Sequence, residues 1–156
     1  MSNRICIVYD TKRGSTEMIV KWMEEAIKGK AEVKVMRVSE VDSLRGCNLV
    51  VIGSPIYYER PLKSVLKFLE EHRDELRDKK VAVFVVCLAE LFGHFTKGYI
   101  EKYYLGPILK KVPAKVVKAG IMRGWLAKPD FNQKENIQKW INDVLSASFY
   151  SNGVGC

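Results

Sequence analysis

Residues 10–16, "DTKRGST", gather the chemistry that this sequence displays most openly. Three hydroxyl-bearing residues (Thr11, Ser15, Thr16), two cations (Lys12, Arg13) and one glycine (Gly14) follow the apolar run "ICIV" and precede an amphipathic segment. The first N–H groups of a helix have no intrahelical partner and carry partial positive charge, so this position receives an anion, above all a phosphate. Gly14 allows the backbone to wrap closely, and the hydroxyls add hydrogen bonds without adding charge. A plainer alternative is that Ser15 or Thr16 caps the helix. One such residue suffices for a cap, and here three surround a glycine.

Other phosphate and nucleophile motifs fit poorly. GxxxxGK[ST] fails, because Gly14 is the single glycine of the loop and no Lys-Ser/Thr pair follows it. The dinucleotide fingerprint GxGxxG is absent. A phospho-accepting receiver needs an acidic pair after the first strand and an aspartate ending the third. Only Asp10 is present, and the third run ends in Gly53-Ser54. A small cysteine phosphatase needs its cysteine in the loop, whereas Cys6 lies within the strand-like run. No Ser/His/Asp set, paired carboxylate or metal-ligand cluster points to independent catalysis, so no catalytic residue and no metal ligand is assigned.

Around this loop, strand-like and helix-like segments alternate. Residues 4–9, 32–38, 48–53, 81–89 and 114–121 read as strands, and 16–29, 61–72, 97–111 and 132–147 as helices. Ile19, Val20, Met23, Ala26 and Ile27 share one face of the first helix; Leu62, Val65, Leu66 and Leu69 do so in the second. Five β units with helices between them predict a mostly parallel α/β sheet covered on both faces through right-handed crossovers. Ligands of such sheets bind at the carboxyl ends of strands where the order reverses. That rule selects the loops 10–16, 54–60 and 88–96. One domain is expected over residues 1–148, with a flexible tail over 149–156.

At 156 residues, 47% hydrophobic and 28% charged, the composition is that of a globular protein. The longest apolar run, residues 81–89, falls far short of the roughly 20 residues needed to span a bilayer as a helix. No apolar leader opens the sequence, and the four scattered cysteines form no CxxC pair. The expectation is a cytoplasmic protein with reduced thiols. The net charge of +8 is concentrated between residues 97 and 118, where six lysines face Glu101 alone. A solvated surface is the simplest reading of such a run. No nucleic-acid motif accompanies it, so nucleic acid is not expected as a partner.

With its strand and helix context, "YDTKRGSTE" (9–17) resembles the FMN-phosphate loop of the flavodoxin-like family. "GSPIYYERPLKSVLKFL" (53–69) and "VFVVCL" (83–88) resemble its second and third flavin-facing segments, in matching order and spacing. The likeness is closest to the flavodoxin modules of A-type flavoproteins and to the group containing menaquinone-dependent protoporphyrinogen oxidase. It implies a three-layer sandwich with a five-stranded parallel sheet of order 2-1-3-4-5, and FMN as cofactor. Thr11, Lys12, Arg13, Gly14, Ser15 and Thr16 would then hold the phosphate. Ser54, Pro55, Ile56, Tyr57 and Tyr58 would wall one side of the flavin ring, with Cys87, Leu88, Ala89, Leu91, Phe92 and Gly93 on the other. Residues 54–60 lack the glycine that electron-carrying flavodoxins place beside the flavin.

The resemblance implies electron transfer with a redox protein partner, an acidic one if the basic surface is used. The alternatives are an FMN-dependent oxidase or quinone reductase, with a peripheral membrane or quinone contact, and an interaction module of the same fold without cofactor. The sequence leaves the oligomeric state open.

Overall fold

Strands β1 (Arg4–Tyr9), β3 (Leu49–Tyr57) and β5 (Lys80–Cys87) are the apolar, β-branched runs of the sequence, and they form the buried centre of the sheet. The structure is a computed structural model describing residues 3–12, 14–57, 60–87, 97–125 and 128–150, with Lys97 and Tyr150 as backbone alone. β2 (Glu32–Arg37), whose apolar residues alternate with charged ones, lies at one edge, and β6 (Val116–Arg123) at the other. The order β2-β1-β3-β5-β6 is parallel throughout. It is the expected 2-1-3-4-5 arrangement, with β4 (Arg60–Pro61) added as a short antiparallel partner of the end of β3.

The side-chain alternation of the strands divides the core into two layers. Ile5, Ile7, Leu49, Val51, Ala82 and Phe84 meet helices α1 (Ser15–Ile27) and α6 (Lys134–Leu145) on one face. Cys6, Val8, Val50, Ile52, Val83 and Val85 meet α2 (Lys63–Glu71) and the helical segment around Tyr104 and Ile108 on the other. A four-residue helix α3 (Arg73–Leu76) follows α2. The helix expected over 97–111 is built from α4 (Lys97–Ile100), a wider π turn at Glu101–Leu105 and α5 (Gly106–Leu109). The π turn Ser146–Tyr150 continues α6 past residue 148, and residues 151–156 of the expected tail lie outside the described residues.

Phe84 occupies the middle of the α1/α6 face because its two neighbours across the sheet are glycines. Gly53 pairs with it from β3 and Gly120 from β6. A Cβ on Gly53 would lie 2.1 Å from the Phe84 ring, and one on Gly120 would lie 2.5 Å from Trp140 Nε1. Phe84 and Trp140 meet edge to face, with ring centroids 6.0 Å apart. The sheet thus exchanges two side chains for two large rings.

Two expectations are corrected here. Residues 54–57, assigned by sequence to a loop, continue β3: Ser54 and Pro55 pair with Val85 and Val86, and Ile56 and Tyr57 with Pro61 and Arg60. Pro55 and Pro61 both stand within these pairings, near the ends of their strands. The cysteines are not all reduced. Cys6 and Cys47 form a disulfide with Cα atoms 5.8 Å apart. Cys6 faces the α2 side of β1, where the chain returns through Cys47 to enter β3, so 41 residues of separation close to bonding distance. Cys87 lies outside this bridge and is buried.

Candidate functional site

The loop after β1 owes its shape to its own polar groups. The Thr11 N–H donates to Asp10 Oδ1 at 2.9 Å, and the Gly14 N–H donates to Thr11 Oγ1 at 3.0 Å. Gly14 then takes a left-handed conformation, φ +93°, as the N-cap of α1. No atom lies within 4 Å of where its Cβ would sit, so its glycine is required by backbone conformation rather than by crowding from the chain. The N-cap makes no side-chain hydrogen bond, so neither Ser15 nor Thr16 is the cap considered above. Both lie inside the first turn.

Thr16 is fully buried and its Oγ1 has no hydrogen-bond partner. Leaving a buried hydroxyl unpaired costs about 1–3 kcal/mol, so such a group asks for a partner that is not part of the chain. It stands in the same helical turn as the unpaired N–H groups of the start of α1. Amides, a waiting hydroxyl and the cation of Lys12 together suit a phosphate monoester.

The remaining residues singled out by sequence converge in part. β1, β3 and β5 are adjacent in the sheet, and the register pairs Tyr9 with Gly53 and Pro55 with Val86, so their carboxyl ends open side by side. Ser54 is fully buried; its Oγ accepts from the Leu62 N–H at 3.0 Å and donates to the Pro55 carbonyl, tying the end of β3 to the start of α2. Pro55 is buried, and Ile56 and Tyr57 are half-buried. Tyr57 turns its ring towards the loop after β1, with Lys12 Nζ 5.5 Å from the ring centroid. Cys87 ends β5, its carbonyl accepting from the Gly124 N–H at 3.0 Å. Arg13, Tyr58, Leu88, Ala89, Leu91, Phe92 and Gly93 lie outside the described residues.

Three residues that sequence reasoning left unassigned brace this loop. Asp10 Oδ1 accepts from Arg37 Nη2 at 2.8 Å, Asp10 Oδ2 accepts from Ser64 Oγ, and Arg37 Nη2 also donates to the Thr11 carbonyl at 3.1 Å. Burial alone would raise the Asp10 carboxyl, but the hydrogen bonds from Ser64, Arg37 and the Thr11 N–H outweigh it and hold the carboxyl below its usual range. Behind the loop the Tyr9 hydroxyl donates to Glu17 Oε1 at 3.3 Å; burial and that carboxylate push the phenol upwards. The available signal was topological. Arg37 ends β2, and parallel pairing of Tyr9 with Arg37 places it beside Asp10.

The comparisons with known proteins agree with this architecture. A family model described as "Flavodoxin domain" matches residues 6–144. A flavodoxin from Clostridium saccharobutylicum is 34% identical over 86 residues, which is 52% of this chain and 54% of that protein, so the match spans about half of the relative's length. Among solved structures, oxidised Flavodoxin 1 from Bacillus cereus superposes with a TM-score of 0.70 at 16% identity, covering 92% of this chain and 98% of that one. The Fusobacterium nucleatum flavodoxin bound to flavin mononucleotide superposes with a TM-score of 0.62 at 16% identity, covering 92% and 97%. At these identities the two structures speak for the fold, while the family match covers most of the sequence. The chain therefore belongs to the flavodoxin domain family.

Proposed function

We propose that this protein binds FMN and passes electrons between redox proteins. The observation that carries the reading is the buried, unpartnered hydroxyl of Thr16 in the first turn of α1, behind a left-handed Gly14. A phosphate monoester would accept from that hydroxyl and from the helix N–H groups, and Lys12 would offset its charge. Related flavodoxins, among them the FMN-bound one from Fusobacterium nucleatum, support FMN as the molecule that brings the phosphate.

When bound, the flavin supplies the redox chemistry, and the protein's share is to hold and orient it. Thr11, Gly14, Ser15 and Thr16 grip the phosphate end. Tyr57, at the end of β3, offers a half-buried aromatic wall on one side of the ring. With a net charge of +8, the protein favours an acidic redox partner. Some of the basic run is already compensated within the chain, since Lys111 pairs with Glu70 and Lys118 lies 4.0 Å from Asp143. Among the described residues no helix is long and apolar enough to cross a membrane.

The test is direct. Purified protein should show the absorption bands of bound oxidised flavin, or regain them when FMN is added to flavin-free protein, and the bound flavin should be reducible by a reductase and reoxidised by an acidic acceptor protein. A protein that stays colourless with excess FMN would refute the proposal.

A further inference from the structure

A cleft of about 900 Å³ opens beside the phosphate loop, on the β2 side of Tyr57. Among the described residues its walls come from three places: Asp10–Lys12 after β1, Arg37 at the end of β2, and Tyr57 together with Arg60–Ser64. Gly14, Ser15 and Thr16, which form the phosphate cradle, do not line it, and neither do Ser54, Pro55 and Cys87. Among the described residues the cleft and the flavin site share Thr11, Lys12 and Tyr57 and no others.

The charge within it is unbalanced. Lys12, Arg37, Arg60 and Lys63 contribute four positive charges and Asp10 one negative, a net of +3 over the described lining residues. Asp10 is already saturated by Arg37, Ser64 and the Thr11 N–H. Lys12, Arg60 and Lys63 make no ion pair with a described carboxylate, and all three are exposed. Elsewhere on the described surface cations do find acids, as in Arg4–Glu32 and Lys134–Glu25. Like charges converging on a concavity raise the local potential and concentrate counter-ions there. The volume lies in the range of small-molecule pockets, roughly 300–1,000 Å³.

We infer that this cleft binds a small polyanion, a molecule with two or more phosphate or carboxylate groups, beside the flavin site. Lys12 on one wall and Arg60 and Lys63 on the other would each take an oxyanion, and the free edge of the Arg37 guanidinium suits a planar or tetrahedral one. A concave setting with cations on facing walls favours a compact, multiply charged ligand over the broad acidic surface of a protein.

Calorimetric titration of inorganic pyrophosphate, and separately of citrate, into protein pre-incubated with excess FMN tests the inference. Saturable binding is expected, weakened by raised salt and lowered at least about tenfold by Lys63→Glu or Arg60→Glu, since each removes a charge-assisted contact. FMN uptake by the same variants checks their folding. A stronger response to citrate than to pyrophosphate, or the reverse, identifies the oxyanion and upholds the site in either case. Absence of binding by both anions overturns it, as does binding that ignores both charge reversals. Competition with FMN, abolished by Thr16→Val and untouched by Lys63→Glu, would place the anion in the flavin-phosphate cradle and also overturn it. The outcome is independent of the flavin proposal: Lys63-dependent pyrophosphate binding by a protein that takes up no FMN would sustain the cleft and remove the flavin.

Discussion

Arg37 Nη2 lies 2.8 Å from Asp10 Oδ1 and 3.1 Å from the Thr11 carbonyl, so the end of the edge strand β2 fixes the first residues of the loop after β1. The loop is held in shape by Asp10, Arg37 and Ser64, none of which is among the residues proposed to grip the flavin phosphate. Such outer contacts restrict the conformations from which binding must select, and they separate effects on affinity from effects on fold.

Asp10→Asn should loosen this brace. The Asp10 side chain is 18% exposed and that of Arg37 43%, so solvent screening keeps the loss of stability to about 1 kcal/mol or less at neutral pH. The sign of the pH dependence follows from the lowered Asp10 carboxyl. Its contribution is complete above the unfolded aspartate value of about 3.9 and is lost as pH falls through the lower folded value. Urea unfolding of both proteins should therefore show a gap at pH 7 that closes under strong acid. A gap that persists unchanged to the lowest accessible pH would exclude this carboxylate as its source.

Thr16→Val should separate binding from folding. Removing a hydroxyl that meets a charged oxygen is expected to weaken FMN by roughly 1–3 kcal/mol. The flavin-free protein should lose nothing or gain slightly, because the buried hydroxyl that disappears was unpaired. Fluorescence titration with FMN gives the first quantity and thermal unfolding without flavin the second. A parallel fall in both would make Thr16 a packing residue.

Gly53→Ala should be costly although the change is one methyl. Its Cβ would lie within 2.1–2.6 Å of three Phe84 ring atoms, and forced overpacking typically costs about 1–3 kcal/mol. Phe84→Leu alone should destabilise as well, and in the double variant much of the Gly53→Ala cost should vanish. A double-mutant cycle in urea measures this coupling, and additive single effects would contradict the contact.

The Cys6–Cys47 bridge closes a 41-residue separation, and loop-closure entropy assigns such a link about 2–4 kcal/mol. Non-reducing peptide mapping should recover the two cysteines in one linked fragment. Cys47→Ser should lower the unfolding midpoint. Recovery of both residues as unlinked thiols from protein purified without reductant would rule the bridge out.

Much of this protein was legible from neighbouring residues. The central strands β1, β3 and β5 appear as β-branched apolar runs, β2 as an alternation of apolar and charged residues, and the faces of α1 and α2 as 3.6-residue spacing, because burial is written locally. The loop at 10–16 was legible for the same reason, since a glycine flanked by hydroxyls before an amphipathic run reports on the turn that contains it. Ser54–Tyr57 misled because the partners that make the segment strand lie elsewhere in the chain, Val85 and Val86 of β5 for Ser54 and Pro55, and Pro61 and Arg60 for Ile56 and Tyr57.

What only the tertiary structure decided are the relations between segments far apart in the chain. Arg37 reaches Asp10 across 27 residues, Ser64 reaches it across 54, and Cys47 closes on Cys6 across 41. The glycines that make room for Phe84 belong to two other strands. Local sequence specifies which faces must be hidden. The crossovers and the register determine which of those faces meet, and so whether a hydroxyl such as that of Thr16 finds a partner or is left waiting for one.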